Sequence, residues 1–95
     1  MFYAQLVCPF CKGGTVGFRL CSDGTTIVLM CDECDAVWLR ADAVSLESPI
    51  FPSSPDYRVE GSGCSVATVY GSRWAKYEEL LSSGVDSFIA GESDA

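Results

Sequence analysis

The clearest local pattern lies between residues 16 and 31, where two mostly apolar runs, 16–21 and 26–31, flank the polar Ser22-Asp23-Gly24-Thr25. Short apolar runs bounded by turn residues read as strands, and Asp-Gly favours a two-residue hairpin turn that needs positive φ. With Asp23 and Gly24 as the loop, Leu20 faces Ile27 and Phe18 faces Leu29, so these four side chains share one sheet face. The other face receives Arg19, Cys21, Thr26, Val28 and Met30. It is less uniformly apolar and is expected to be only partly covered.

The remaining pattern is read in short pieces. Residues 3–7 and 36–40 read as strands, the second with Trp38 as its largest apolar group. Three prolines within 48–56 mark a connecting loop. Residues 57–60 and 65–70 read as further short strands separated by Gly61-Ser62-Gly63. Ser72 is placed as the N-cap of a helix over 73–82, with Gly84 as its left-handed C-terminal cap. Trp74, Tyr77 and Leu81, joined by Leu80, form the stripe expected to pack on the sheet. Residues 85–90 are expected to add a helical turn and 91–95 to form a frayed acidic tail. The fold class is therefore small α+β, an antiparallel hairpin sheet with a C-terminal helix. A single domain over 1–95 is expected, divided into 1–40, 41–71, 72–90 and 91–95.

The chain has six cysteines and no histidine. Cys8-Pro9-Phe10-Cys11-Lys12-Gly13-Gly14 and Cys31-Asp32-Glu33-Cys34 place C-x-x-C pairs on both sides of the hairpin, separated by 19 residues. A hairpin returns the end of one strand beside the start of the other, so the two turns converge on a four-thiolate site. Reduced, metal-free cysteines and two disulfides are the alternatives. Four thiolates select zinc, with iron as the competing metal. They also close the coordination sphere, whereas catalytic zinc keeps an open position. Neither Ser62-Gly63-Cys64 nor Glu78-Glu79 makes a recognisable acid-base arrangement, and the chain reads as a non-enzyme. Cys21 and Cys64 have no partner at metal-binding spacing and are expected to be small buried apolar side chains.

The stretch from Cys8 to Cys34, carried by C-P-F-C-K-G-G and C-D-E-C, resembles the zinc-ribbon superfamily. The resemblance implies a zinc-ribbon hairpin over 1–40 holding one structural Zn2+ on Cys8, Cys11, Cys31 and Cys34. It departs from the common pattern at one position: Gly usually follows the second cysteine directly, and here Lys12 stands there with Gly13 next. Rubredoxins also use two C-x-x-C turns, but with different spacing and repeated adjacent glycines. C-P-F-C is similar to the glutaredoxin redox motif too, although that motif opens a helix, and strand-like residues follow Gly13-Gly14-Thr15 here.

The formal charge is -7, and a dication on four thiolates makes it more negative still. The excess lies late: residues 1–40 carry 3 basic and 4 acidic side chains, residues 41–95 carry 3 and 9. Scattered cations argue against direct nucleic-acid binding and for a protein partner with a basic surface. Asp32, Glu33, Asp35, Glu78 and Glu79 are the candidate partner-binding residues. Asp42, Glu47, Asp56, Glu60 and Asp86 add to the acidic surface. No apolar run is long enough to span a membrane, and Met1-Phe2-Tyr3-Ala4 lacks signal-peptide features, so a cytoplasmic location is expected. Through Ser72-Arg73-Trp74-Ala75 and Glu78-Glu79 the chain also resembles small acidic immunity proteins that bind and inhibit bacterial toxins. A zinc-ribbon adaptor or regulator in a transcription, translation or other complex is the alternative.

Overall fold

The computed structural model describes residues 1–93. Its strands are β1 (Phe2–Gln5), β2 (Val16–Leu20), β3 (Ile27–Cys31), β4 (Val37–Trp38), β5 (Arg73–Trp74) and β6 (Gly91–Glu92), with one helix, α1 (Tyr77–Ser82). They form one antiparallel sheet in the order β4-β3-β2-β1-β6, with β5 also paired to β2. The architecture is α+β, an antiparallel sheet with a short helix.

The hairpin of β2 and β3 sets the frame. Leu20 pairs with Ile27 and Phe18 with Leu29, the register that a loop centred on Asp23 and Gly24 requires. The turn itself is wider than a two-residue loop. Cys21 N–H donates to Thr26 O at 2.9 Å, and of the two central residues only Gly24 takes a positive φ, 77°. The Asp23 carboxylate closes the loop by accepting the N–H groups of Thr25 and Thr26. These bonds, with the Thr26 hydroxyl first among them, hold Asp23 below the usual carboxylate range.

Both hairpin faces carry buried side chains, and the second is partly covered as expected, with Thr26 and Met30 half-buried. Phe18, Leu20 and Leu29 pack with Trp38, Ala75 and Leu80 on one side. On the other, Cys21, Val28 and Val37 pack with Val59, Cys64 and Val66. Arg19 is buried there too. Its Nε donates to Ser72 Oγ, its Nη2 to Val66 O, Thr68 Oγ1 and Ser72 O, and its guanidinium lies 4.8 Å from the Trp74 ring centroid. These partners meet the cost of burying a charge that lacks a direct carboxylate contact.

The second half differs most from its sequence reading. Residues 57–60 and 65–70 are not strands; a single bridge joins Arg58 to Ser65, and Thr68–Tyr70 is a 3₁₀ turn. Ser72 is not a helix cap. Its buried hydroxyl donates to Leu20 O at 2.7 Å, and Arg73–Trp74 continues as β5 along the second half of the β2 edge that β1 leaves unpaired. The helix therefore starts at Tyr77. Lys76 N–H donates to Glu79 Oε1 at 2.7 Å, the one half of a capping box open to a residue whose ammonium has no lone pair. The expected stripe changes accordingly: Leu80 is buried, while Tyr77 and Leu81 are each about half exposed, at 47% and 48%. Gly84 does end the helix as expected, with Gly84 N–H on Leu81 O and Val85 N–H on Leu80 O in the Schellman arrangement. The expected turn over 85–90 is a 3₁₀ turn, Asp86–Phe88. Gly91–Glu92 is a strand on β1 rather than a frayed tail, and the rest of 91–95 beyond Ser93 lies outside the described residues.

Candidate metal centre

The base of the hairpin is where the two cysteine turns meet. Val16 pairs with Cys31, so the residues just outside this pair face each other: Asp32 N–H donates to Thr15 O at 3.1 Å, and Thr15 N–H donates to Asp32 Oδ1 at 2.9 Å. The first turn is closed by Cys8 N–H on Gly14 O and the second by Cys31 N–H on Ala36 O. Each turn wraps amides around its first sulfur: Phe10 N–H points at Cys8 Sγ at 3.4 Å, and Glu33 and Cys34 N–H point at Cys31 Sγ at 3.4 and 3.5 Å. In each, the residue after the second cysteine is left-handed, Lys12 at φ 64° and Asp35 at φ 63°. Lys12 thus adopts the conformation that glycine would take with less strain, and its departure from the common ribbon pattern leaves the turn intact.

All four sulfurs of Cys8, Cys11, Cys31 and Cys34 lie within 4.8 Å of one another. The Cys8–Cys34 and Cys11–Cys31 separations are 3.9 and 3.7 Å. A tetrahedron with metal–sulfur bonds of about 2.3 Å has edges of about 3.8 Å, which these two separations match, so the cluster is compatible with a metal ion. Cys8 and Cys31 are buried, Cys34 is half-buried and Cys11 is exposed. The Gly13 and Gly14 amides bring the Cys11 thiol down to about 7, while burial pushes Cys31 up to about 12 and raises Cys34. A bound dication reverses the effect of burial, because coordination deprotonates a thiol outright.

Gly14 is required by this geometry. A Cβ on Gly14 would collide with Cys31 Sγ and come within 2.9 Å of Asp32 Oδ1, whereas one on Gly13 would meet nothing closer than Glu33 Oε2 at 3.8 Å. The Gly-Gly pair was visible in the sequence; the sulfur that lies against its second member was not.

Cys21 and Cys64 are not isolated. They are joined as a disulfide between residues 43 apart in sequence, with Cα atoms 5.9 Å apart, inside the usual disulfide range. The pair lies in the second-face core, separate from the four-cysteine cluster.

The five candidate partner-binding acids fall into two places. Asp32, Glu33 and Asp35 surround the second cysteine turn and are exposed. Glu78 and Glu79 share a shallow cleft with Gly24 and Thr25 at the other end of the hairpin, roughly 14 Å away by strand rise alone. Glu79 is also committed: both its oxygens accept from Arg73, at 2.9 and 2.6 Å, which with the Lys76 amide holds its carboxyl down to about 2. No helix among the described residues is long and apolar enough to cross a membrane. Comparison with protein-family models, curated proteins and solved structures gives no match to this chain.

Proposed function

We propose that the chain is a small, non-catalytic zinc-binding protein of the zinc-ribbon kind that acts through contact with another protein. The observation that carries the reading is the clustering of four cysteine sulfurs within 4.8 Å of one another at the base of an antiparallel hairpin. Cys8, Cys11, Cys31 and Cys34 would hold one zinc ion, and a fully cysteine donor set supports a structural ion, with iron as the competitor. Elemental analysis of protein purified under reducing, metal-replete conditions is expected to give one zinc per chain. Absence of both zinc and iron overturns the reading. Cys21→Ser is expected to leave that ratio unchanged.

Charge supports a protein partner over nucleic acid. Arg40, Arg58 and Arg73 are tied to carboxylates and Arg19 is buried, which leaves little cationic surface for phosphates. The specific form favoured is a cytoplasmic immunity protein that occludes a bacterial toxin, a task of shape and charge complementarity with no chemistry of its own. The Cys21–Cys64 disulfide is uncommon for such a compartment, where cellular thiols keep most cysteines reduced, and it is buried. Co-expression with a toxin domain encoded beside it is expected to restore growth. Failure to protect favours the second reading, an adaptor or regulator in a transcription, translation or other complex, for which the same hairpin geometry serves.

A further inference from the structure

Large apolar side chains gather at the metal-bearing end of the molecule without being buried. Leu6, Val7, Phe10, Leu46 and Phe51 are all exposed, Leu46 to 83%. Phe10 and Phe51 meet edge to face, their centroids 4.9 Å apart, and Gln5 Nε2 donates to Ser45 Oγ at 3.0 Å, which joins β1 to the segment that carries Leu46. A cavity of about 260 Å³ opens between Pro9, Phe10, Leu46 and Pro49. Beyond Phe51, Pro52 lines a second cavity of about 340 Å³ with Asp32, Asp35, Tyr57 and Trp74. The first cavity is lined by residues of the first cysteine turn and the second by residues of the second turn, and the four sulfurs of the two turns lie within 4.8 Å of one another.

The rim of this surface is anionic. Asp32, Glu33 and Asp35 make no ion pair among the described residues, in contrast to the carboxylates joined to Arg40, Arg58 and Arg73. Arg19 lines the second cavity, but its Nε and Nη2 are committed to Ser72, Val66 and Thr68, and its charge is outnumbered by the carboxylates nearby. Exposed apolar patches rimmed by polar groups mark interaction sites. A second copy is a poor occupant, because it would set one anionic rim against another on chains of charge -7.

We propose that the metal-bearing end is a docking surface for a partner-protein segment that presents a large apolar side chain beside lysine or arginine. The apolar group enters the cavity at Phe10 and Leu46, and the cation meets Asp32 and Asp35. The inference rests on the protein-partner reading and places recognition at the cysteine turns rather than on the acidic helix face.

A random 12-residue peptide library displayed on phage, selected against the metal-loaded full chain, provides the probe. Enriched peptides are expected to carry an aromatic or aliphatic anchor within a few residues of Lys or Arg. Their binding is expected to shift amide resonances of residues 6–12, 31–35 and 44–52. Phe10→Ser with Phe51→Ser should weaken binding about tenfold or more, Leu46→Ser severalfold, and Glu78→Gln less than about twofold. Zinc content and the melting transition confirm that each variant folds. Enriched peptides that shift only residues 77–82, or bind the Phe10/Phe51 variant unchanged, overturn this inference and leave the partner reading standing. No enrichment at all overturns both. Self-association of the wild type that Phe10→Ser abolishes assigns the surface to a second copy and overturns the partner assignment.

Discussion

The two cysteine turns are alike in backbone and unlike in surface. Each points the amide two residues beyond its first cysteine at that cysteine's sulfur, and each turns left-handed immediately after its second cysteine. The first, however, carries Pro9, Phe10 and Lys12, whereas the second carries Asp32, Glu33 and Asp35. What is shared is what a tetrahedral thiolate site and a hairpin base demand. What differs lies in the side chains between and after the cysteines, one of which, Asp32, also ties the second turn to Thr15 N–H. One end of the molecule thus presents an apolar half and an anionic half on turns of common backbone geometry.

The sharpest break in the comparison would be unequal dependence on the two turns. Cys8→Ser and Cys31→Ser are both expected to abolish stoichiometric zinc and unfold the hairpin region, measured by elemental analysis and circular dichroism; retention of zinc by either would show that the turns are not equivalent. Next in size, Gly14→Ala is expected to weaken zinc affinity about tenfold or more, roughly 1.4 kcal/mol, in a chelator competition, because the added methyl group would strike the Cys31 sulfur that a bound ion would need in place. Gly13→Ala has room for its methyl group and is expected to bind as the wild type does.

Asp32→Ala removes the acceptor that ties Thr15 N–H to the second turn and is expected to cost about 1 kcal/mol in a denaturant titration, with Glu33→Ala near zero. Equal losses would place the link elsewhere. The smallest effect carries the opposite sign. Lys12→Gly relieves a left-handed lysine and is expected to stabilise by up to about 1 kcal/mol, net of the extra backbone entropy of glycine. Asp35→Gly should gain less, because aspartate tolerates that conformation better than lysine does. A reversed order would show that Lys12 makes a contact outweighing its strain.

The parts legible in the sequence are those fixed by neighbours in the chain. The register of β2 on β3 follows from a single turn, and the convergence of Cys8, Cys11, Cys31 and Cys34 follows from that register. The parts misread depend on remote partners. Ser72 has the right identity and spacing for a helix cap, but the β2 edge beside Arg19 and Leu20 was left open by β1, and residues 73–74 fill it. Arg19 read as one polar position on a half-covered face; its burial is possible only because acceptors from residues 66–72 close over it. The Cys21–Cys64 pairing spans 43 residues that no spacing rule covers.

That pairing bears on how the molecule is made. Six thiols can be oxidised to three disulfides in on the order of fifteen arrangements. An ion seated on Cys8, Cys11, Cys31 and Cys34 takes four of them out of circulation and leaves Cys21 and Cys64 with only each other. A bound ion would serve as a protecting group in the synthetic chemist's sense, and the order of assembly would become part of the fold: loading before oxidation would have one product, and oxidation before loading many.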